Sequence, residues 1–284
     1  MTIEEVKNIL YETEKRTSRT GFKINIDWKN KPTSLTQSKF GGMPYWDKKM
    51  EYPKGSDGNK LYLLAQINFE EVPENDILPK KGILQFFLGD DDLYGCDFDE
   101  PMIQNNFRVV FHKEADNETK EEDLFDLDIP TTLNIPEDHY LPIVCEVPIS
   151  FEKTEVFMTH FDYRFNDIFK EISKGFGYEE LKDVSDLYDS LPEEEYKEYC
   201  DICYKENVGS WLIGYPFFTQ RDPRYINSAI QKYDTLLFQM DSEYNKETGK
   251  EIMFGDVGVA NFFINGEVLK KGDFSDIMYN WDCS

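Results

Sequence analysis

The apolar positions of this 284-residue chain follow two periods, and the places where the period changes divide it. Ile3, Val6, Ile9 and Leu10 share one helical face, and Thr2 with Glu5 three residues on forms a capping box. Residues 2 to about 16 are therefore expected to be an amphipathic helix. Phe22 to Trp28 alternates apolar and polar, the mark of a half-buried strand. Short apolar runs bounded by glycine, proline or polar turns follow at 61–68, 82–88, 107–112, 143–148 and 156–158, and each reads as a strand. From about 162 the spacing of Tyr163, Phe165, Ile168, Phe169 and Ile172 becomes helical, ending at Gly175-Phe176-Gly177. Residues 178–190 and 192–206 continue as two more helices, with Pro192 in the first turn of the second. Extended structure resumes at 211–218, 235–241 and 258–264, and a short helix near 267–271 and a strand near 277–282 close the chain.

Three of the extended blocks occur twice, in the same order. Gly42-Met43-Pro44-Tyr45-Trp46 corresponds to Gly214-Tyr215-Pro216-Phe217-Phe218, and Leu63-Leu64-Ala65-Gln66-Ile67-Asn68 to Leu236-Leu237-Phe238-Gln239-Met240-Asp241. Gly82-Ile83-Leu84-Gln85-Phe86-Phe87-Leu88 returns as Gly258-Val259-Ala260-Asn261-Phe262-Phe263-Ile264. Pro44 precedes Gln66 by 22 residues and Pro216 precedes Gln239 by 23. The expected fold is α+β and internally duplicated: two similar, mostly antiparallel sheet units in a pseudo-two-fold relation, with an N-terminal helix and a helical block between them. The whole of 1–284 is read as one domain, with repeat one at about 22–160, a helical bridge at about 161–206 and repeat two at about 207–284. Gln66, Gln239, Gln85 and Asn261 recur at matched positions, and a buried amide must be hydrogen-bonded, most often to backbone. Shared architecture explains them better than catalysis.

Ser38 to Pro44, Leu64 to Asn68, Gly214-Tyr215-Pro216 with Gln220-Arg221-Asp222-Pro223-Arg224, and Phe254-Gly255-Asp256-Val257-Gly258 through Phe263 resemble the YwqG family of bacterial proteins. Asp273-Phe274-Ser275 and Trp281-Asp282-Cys283 fit the same pattern, so the likeness runs from about residue 20 to the end. That family is a domain of unknown function. The resemblance implies an α+β fold with a duplicated core and carries over no active-site residues. Some members lie near secreted-toxin genes, which implies an immunity or toxin-neutralising role.

Composition narrows the partners. At 40% hydrophobic and 15% aromatic residues the chain is globular rather than disordered. Against 31 Lys and Arg stand 56 Asp and Glu, a net charge of −25. Such a surface repels phosphate backbones and anionic lipid, so neither nucleic acid nor a membrane is expected as partner, whereas a basic protein would be attracted. Met1 to Val6 is acidic and lacks the apolar core of a signal peptide, and no run of about 18 apolar residues exists, so a cytoplasmic location with reduced cysteines is expected.

No catalytic constellation emerges. His112, His139 and His160 belong to no metal-ligand spacing, and Cys200-Asp201-Ile202-Cys203 lacks the second ligand pair that zinc requires. The acidic run 90–100, set on a calcium-binding loop from Asp90, fails at Tyr94 and at Pro101, where a bidentate Glu belongs. No cofactor is expected. Gln220-Arg221-Asp222-Pro223-Arg224 offers two arginines beside an Asp-Pro turn: either a clamp for carboxylate or phosphate, or a turn with Arg224 paired to a carboxylate. Two functions remain open. One is a non-catalytic interaction protein, with a toxin-neutralising role as its sharpest form. The other is a small-molecule binder or enzyme using a polar groove between the repeats, with Gln66, Gln220, Asp222, Arg224 and Gln239 near it.

Overall fold

A computed structural model describes residues 2–135, 140–188 and 207–284, together with 191, 192, 195, 197, 198 and 200. His139, Cys203 and most of the expected helix 192–206 lie outside the described residues. The chain opens with α1 (Ile3–Thr17), capped as expected, with Thr2 Oγ1 accepting from the Glu5 amide. Lys15 and Arg16 fill its last turn, where cations favour the helix dipole. Its buried face, Val6, Ile9 and Leu10, packs with Phe165 and Phe169 of α2 (Phe165–Gly175). Arg16 reaches Glu171 of α2 at 2.8 Å.

Ten strands form one antiparallel sheet around which everything else is arranged. In chain order they are β1 (Arg19–Ile26), β2 (Lys39–Phe40), β3 (Tyr62–Asn68), β4 (Ile83–Leu88), β5 (Phe107–His112) and β6 (Val147–Val156), then β7 (Trp211–Gly214), β8 (Thr235–Asp241), β11 (Val259–Ile264) and β12 (Ile277–Asp282). A separate hairpin joins β9 (Glu243–Tyr244) to β10 (Glu251–Ile252). The order across the large sheet is β12-β11-β8-β7-β1-β6-β2-β3-β4-β5. β1 and β6 hold the centre, paired from Arg19↔Val156 to Ile26↔Ile149. One wing is β2 to β5 and the other β7, β8, β11 and β12. In β3 the register shifts at Leu64, between Leu63 and Ala65. In β8 it shifts at Leu237, between Phe238↔Phe262 and Leu236↔Phe263.

The sheet curls until its outer strands face each other across one core. Phe107 of β5 lies 5.2 Å from Tyr279 of β12, and Phe86 of β4 lies 4.6 Å from Phe238 and 4.8 Å from Phe262. Strands buried on both faces read as continuous apolar runs, which is why β3, β4 and β11 stood out in the sequence. β6 did not. Hydrophobic patterning predicts strands at 143–148 and 156–158, but the strand runs through Glu152-Lys153-Thr154-Glu155 between them, where residues on both faces are exposed or half-buried. Of residues 178–190, expected as one helix, the described residues 178–188 contain only the single turn α3 (Ser185–Tyr188). The last short helix, α4 (Gly266–Leu269), is capped by Asn265.

The acidic stretch 114–128 is not a free loop. Glu121–Leu127 forms a 3-10 helix whose Leu124 is buried in a small second core with Trp46, Tyr52, Leu63 and Phe87. Lys60 Nζ donates to the carbonyls of Leu127 (2.6 Å) and Asp128 (3.0 Å), and the Asp116 amide donates to the Tyr45 hydroxyl (3.1 Å).

Candidate functional site

The glutamines singled out in the sequence are fully buried within their own wings. Gln66 Oε1 accepts from the Tyr45 amide at 2.9 Å, and its Nε2 donates to the carbonyls of Leu35 and Gln37. Gln239 repeats the arrangement: Oε1 accepts from the Phe217 amide at 2.8 Å, and Nε2 donates to the carbonyls of Asn207 and Gly209. The same loops are held from the next strand. Gln85 Nε2 donates to the Tyr45 carbonyl and Asn261 Nδ2 to the Phe217 carbonyl. These amides supply both donor and acceptor to X-Pro loops whose backbone has no strand partner. Gln85 Oε1 also meets His112 Nε2 at 2.9 Å. Burial pushes that imidazole down to about 4, so it is neutral at pH 7.

Asp222 and Arg224 meet inside wing two. Asp222 caps a 3-10 turn, Pro223–Tyr225, and forms a two-point pair with Arg224: Nε to Oδ1 at 2.9 Å, Nη2 to Oδ2 at 2.7 Å. Arg224 is fully buried, its Nη1 donates to the Tyr233 carbonyl, and its guanidinium lies 4.0 Å over the Phe263 ring. A second pair stands against it. Arg164 grips Asp162 at 2.8 and 2.7 Å, and Asp162 lies 3.7 Å from Arg224. Burial alone would raise the Asp162 carboxyl, but the Arg164 hydrogen bonds and the Arg224 charge outweigh it and hold the group below the usual carboxylate range. Gln220 faces elsewhere, its amide on Asp282 and its side chain on the Cys283 carbonyl. Thus Asp222 and Arg224 are brought together. Gln66 lies in the opposite wing from Gln239, and no contact joins the two among the described residues.

Among the described residues concave surfaces lie elsewhere, three of them around the acidic segment and another, of about 450 Å³, lined by residues between Asp91 and Asn106. The largest of these among the described residues is a cleft of about 1110 Å³ between the Tyr45–Lys49 turn and residues 114–126. Seven carboxylates line it (Asp47, Glu114, Asp116, Glu118, Glu122, Asp123 and Asp126) against two lysines, Lys48 and Lys49. Lys48 is already engaged, donating to Asp126 at 2.7 Å. Phe125 stands in the wall with 69% of its surface exposed. Two neighbouring clefts, of about 400 and 430 Å³, share Met43, Glu121 and Glu146. Lys39 lines the first of them, only 2% exposed, with Nζ 3.0 Å from Glu146 Oε1. Burial lowers its pKa, opposed by Glu146 and Glu121. The charge is carried here because Gly41 and Gly42, at φ +64° and +75°, fold the loop against this carboxylate. A Cβ on Gly42 would fall 2.3 Å from Glu146 Oε1.

Neither Lys39 with Glu146 nor Asp162 with Arg164 is signalled by the sequence. The two buried thiols are unsuited to nucleophilic chemistry: burial pushes Cys96 up to about 12 and Cys145 up to about 11. Among the described residues, no group of three or more His, Cys, Asp or Glu side chains is placed to hold a metal ion, and no helix is long and apolar enough to cross a membrane. No curated protein matches the chain. Residues 38–283 match the family described as Domain of unknown function (DUF1963), and with nearly the whole sheet inside that match the chain belongs to this family.

Proposed function

We propose that this protein is a non-catalytic interaction protein that receives a basic segment of a protein partner in the cleft between Tyr45–Lys49 and the 114–126 segment. The observation that carries this reading is the lining: seven carboxylates, two lysines and one exposed phenylalanine in a cleft of about 1110 Å³. A cationic peptide meets complementary charge there, and Phe125 offers an apolar anchor beside it. Both walls are fixed, one by Leu124 in the second core and the other by the Gln66 and Gln85 clasp on Tyr45, so little ordering accompanies binding. A toxin-neutralising role, the closer assignment to the YwqG family and a cytoplasmic location fit this reading, as do the free thiols of Cys96, Cys145, Cys200 and Cys283.

The same reading includes internal duplication, with repeats at about 22–160 and 207–284 in a pseudo-two-fold relation. The strand order supports it, since β2, β3, β4, β5 and β7, β8, β11, β12 run outward in sequence from a shared β1–β6 centre. So do the register shifts at Leu64 and Leu237, each two residues before its glutamine, and the matched clasps on Tyr45 and Phe217. On this view the repeats supply a rigid frame, and the acidic segment 114–128 is what distinguishes wing one.

The test is fluorescence anisotropy with a labelled lysine- and arginine-rich peptide of about twelve residues at 50 and 300 mM NaCl. Glu118 and Glu122 are exposed on the cleft wall, and E118K/E122K is expected to weaken binding by about tenfold at low salt, chiefly through slower association. Absence of binding at 50 mM NaCl, or equal binding by the reversed variant, would overturn the proposal.

A further inference from the structure

In a chain of net charge −25, one buried place holds more positive than negative charge. Arg19 opens β1, and its guanidinium carbon sits 3.6 Å over the Tyr215 ring. Its Nε and Nη2 are buried and have no hydrogen-bond partner among the described residues. The carboxylates around it are engaged with other cations. Asp162 is gripped at both oxygens by Arg164, and Asp222 at both by Arg224. Three guanidinium groups therefore share two carboxylates. Burial lowers the Arg19 pKa, with Tyr215 and Asp162 opposing, yet a guanidinium does not lose its proton in a protein. The charge persists, and a buried charge without a counter-charge is costly. The Tyr215 ring face compensates part of it. The Tyr215 hydroxyl adds nothing, because it donates to the Thr17 carbonyl at 2.7 Å.

We propose that Arg19 and Arg164 form a binding site for a small oxyanion, the carboxylate or phosphate group of a small molecule. Arg164 gives Asp162 its Nε and Nη2 edge and remains 29% exposed, and no described residue accepts a hydrogen bond from its Nη1. Arg19 is enclosed at Nε and Nη2, which leaves Nη1 as its outward nitrogen. An oxyanion across these two edges supplies the missing negative charge and accepts charge-assisted hydrogen bonds from planar donors suited to it. The buried Asp162 and Arg224 behind them fix Arg164 in position before the ligand arrives. None of these residues lines the acidic cleft, so this site does not rest on the partner reading above.

The experiment is isothermal titration of the full chain with sodium phosphate and, separately, sodium acetate, each at constant ionic strength against sodium chloride, with thermal unfolding recorded in parallel. A saturable 1:1 isotherm and a raised unfolding midpoint are expected for at least one anion. Phosphate alone assigns a phosphate-bearing ligand, acetate alone a carboxylate-bearing one, and both the oxyanion class as stated. R19Q is expected to weaken binding by about tenfold or more with an unchanged far-UV circular dichroism spectrum. R19K, which keeps the charge but not the planar fork, guards against a glutamine variant that does not fold and is also expected to bind more weakly. No saturable heat with either anion, or wild-type affinity in a folded variant, overturns the proposal.

Discussion

Replacing Arg224 by methionine isolates what the buried ion cluster contributes. Methionine has similar length and no charge, so the substitution leaves little cavity and acts mainly through the groups it abandons. Asp222 would lose the two-point contact at 2.9 and 2.7 Å, keeping only the amides of residue 224 and of Tyr163 at 2.9 and 3.1 Å. The Tyr233 carbonyl would lose its donor, and Asp162 a cation at 3.7 Å. Removing one member of a buried pair typically costs about 3–5 kcal/mol, because the remaining charge is stranded. R224M is therefore expected to lose about 4 kcal/mol, and D222N about 3 kcal/mol because it strands the arginine instead. The double variant R224M/D222N removes both charges and is expected to be no less stable than R224M alone, a non-additivity of about 3 kcal/mol. Urea unfolding followed by tryptophan fluorescence and circular dichroism measures all four corners of the cycle. A loss below about 1 kcal/mol for R224M, or a double variant whose loss equals the sum of the singles, would show that the cluster does not hold the fold as argued.

Acidification and one glycine substitution probe the other wing. His112 titrates at about 4 when folded against 6.5 when free, so below pH 6.5 the unfolded chain binds the additional proton and stability falls until about pH 4. That gap corresponds to about 3 kcal/mol, and the slope between pH 6.5 and 4 should be markedly shallower in H112Q; an identical slope would rule out His112 as its source. At Gly41, φ is +64° and a Cβ would stand 2.1 Å from the Cys145 carbonyl oxygen, a backbone atom that no rotamer change can move. G41A is expected to cost more than about 3 kcal/mol, whereas G58A, at φ +85° with nothing within 4 Å, costs only about 1–2 kcal/mol; equal unfolding midpoints would refute the comparison.

How far the sequence could be read depended on whether a feature was local. α1 announced itself through Thr2 and Glu5, and β8 and β12 through bounded apolar runs that matched the observed limits. The Asp222–Pro223 turn with Arg224 on a carboxylate was also visible, since donor and acceptor lie two residues apart. The pairing of Arg19 with Tyr215, and of Arg224 with Asp162, joins residues far apart in the chain, and no periodicity records such a meeting. The 114–128 segment is hard to read for a different reason. Eight acids masked Leu124 and Leu127, whose burial is what turns a charged stretch into the wall of a cleft.

The central pairing of β1 with β6 sets an order of events during synthesis. β1 ends at Ile26, but its partner begins only at Val147 and its other neighbour only at Trp211. A ribosome adding about 5–20 residues per second leaves β1 unpaired for roughly ten seconds. During that interval β2 to β5 can assemble as local hairpins, yet β2 stays an open edge until β6 reaches it. The middle of the sheet thus closes only after wing one has been synthesised, although its first strand emerges directly behind α1. A chain that stops short of Val147 would leave β1 unpaired on both sides and β2 open on one, and its characteristic failure is aggregation through these edges rather than a smaller folded unit.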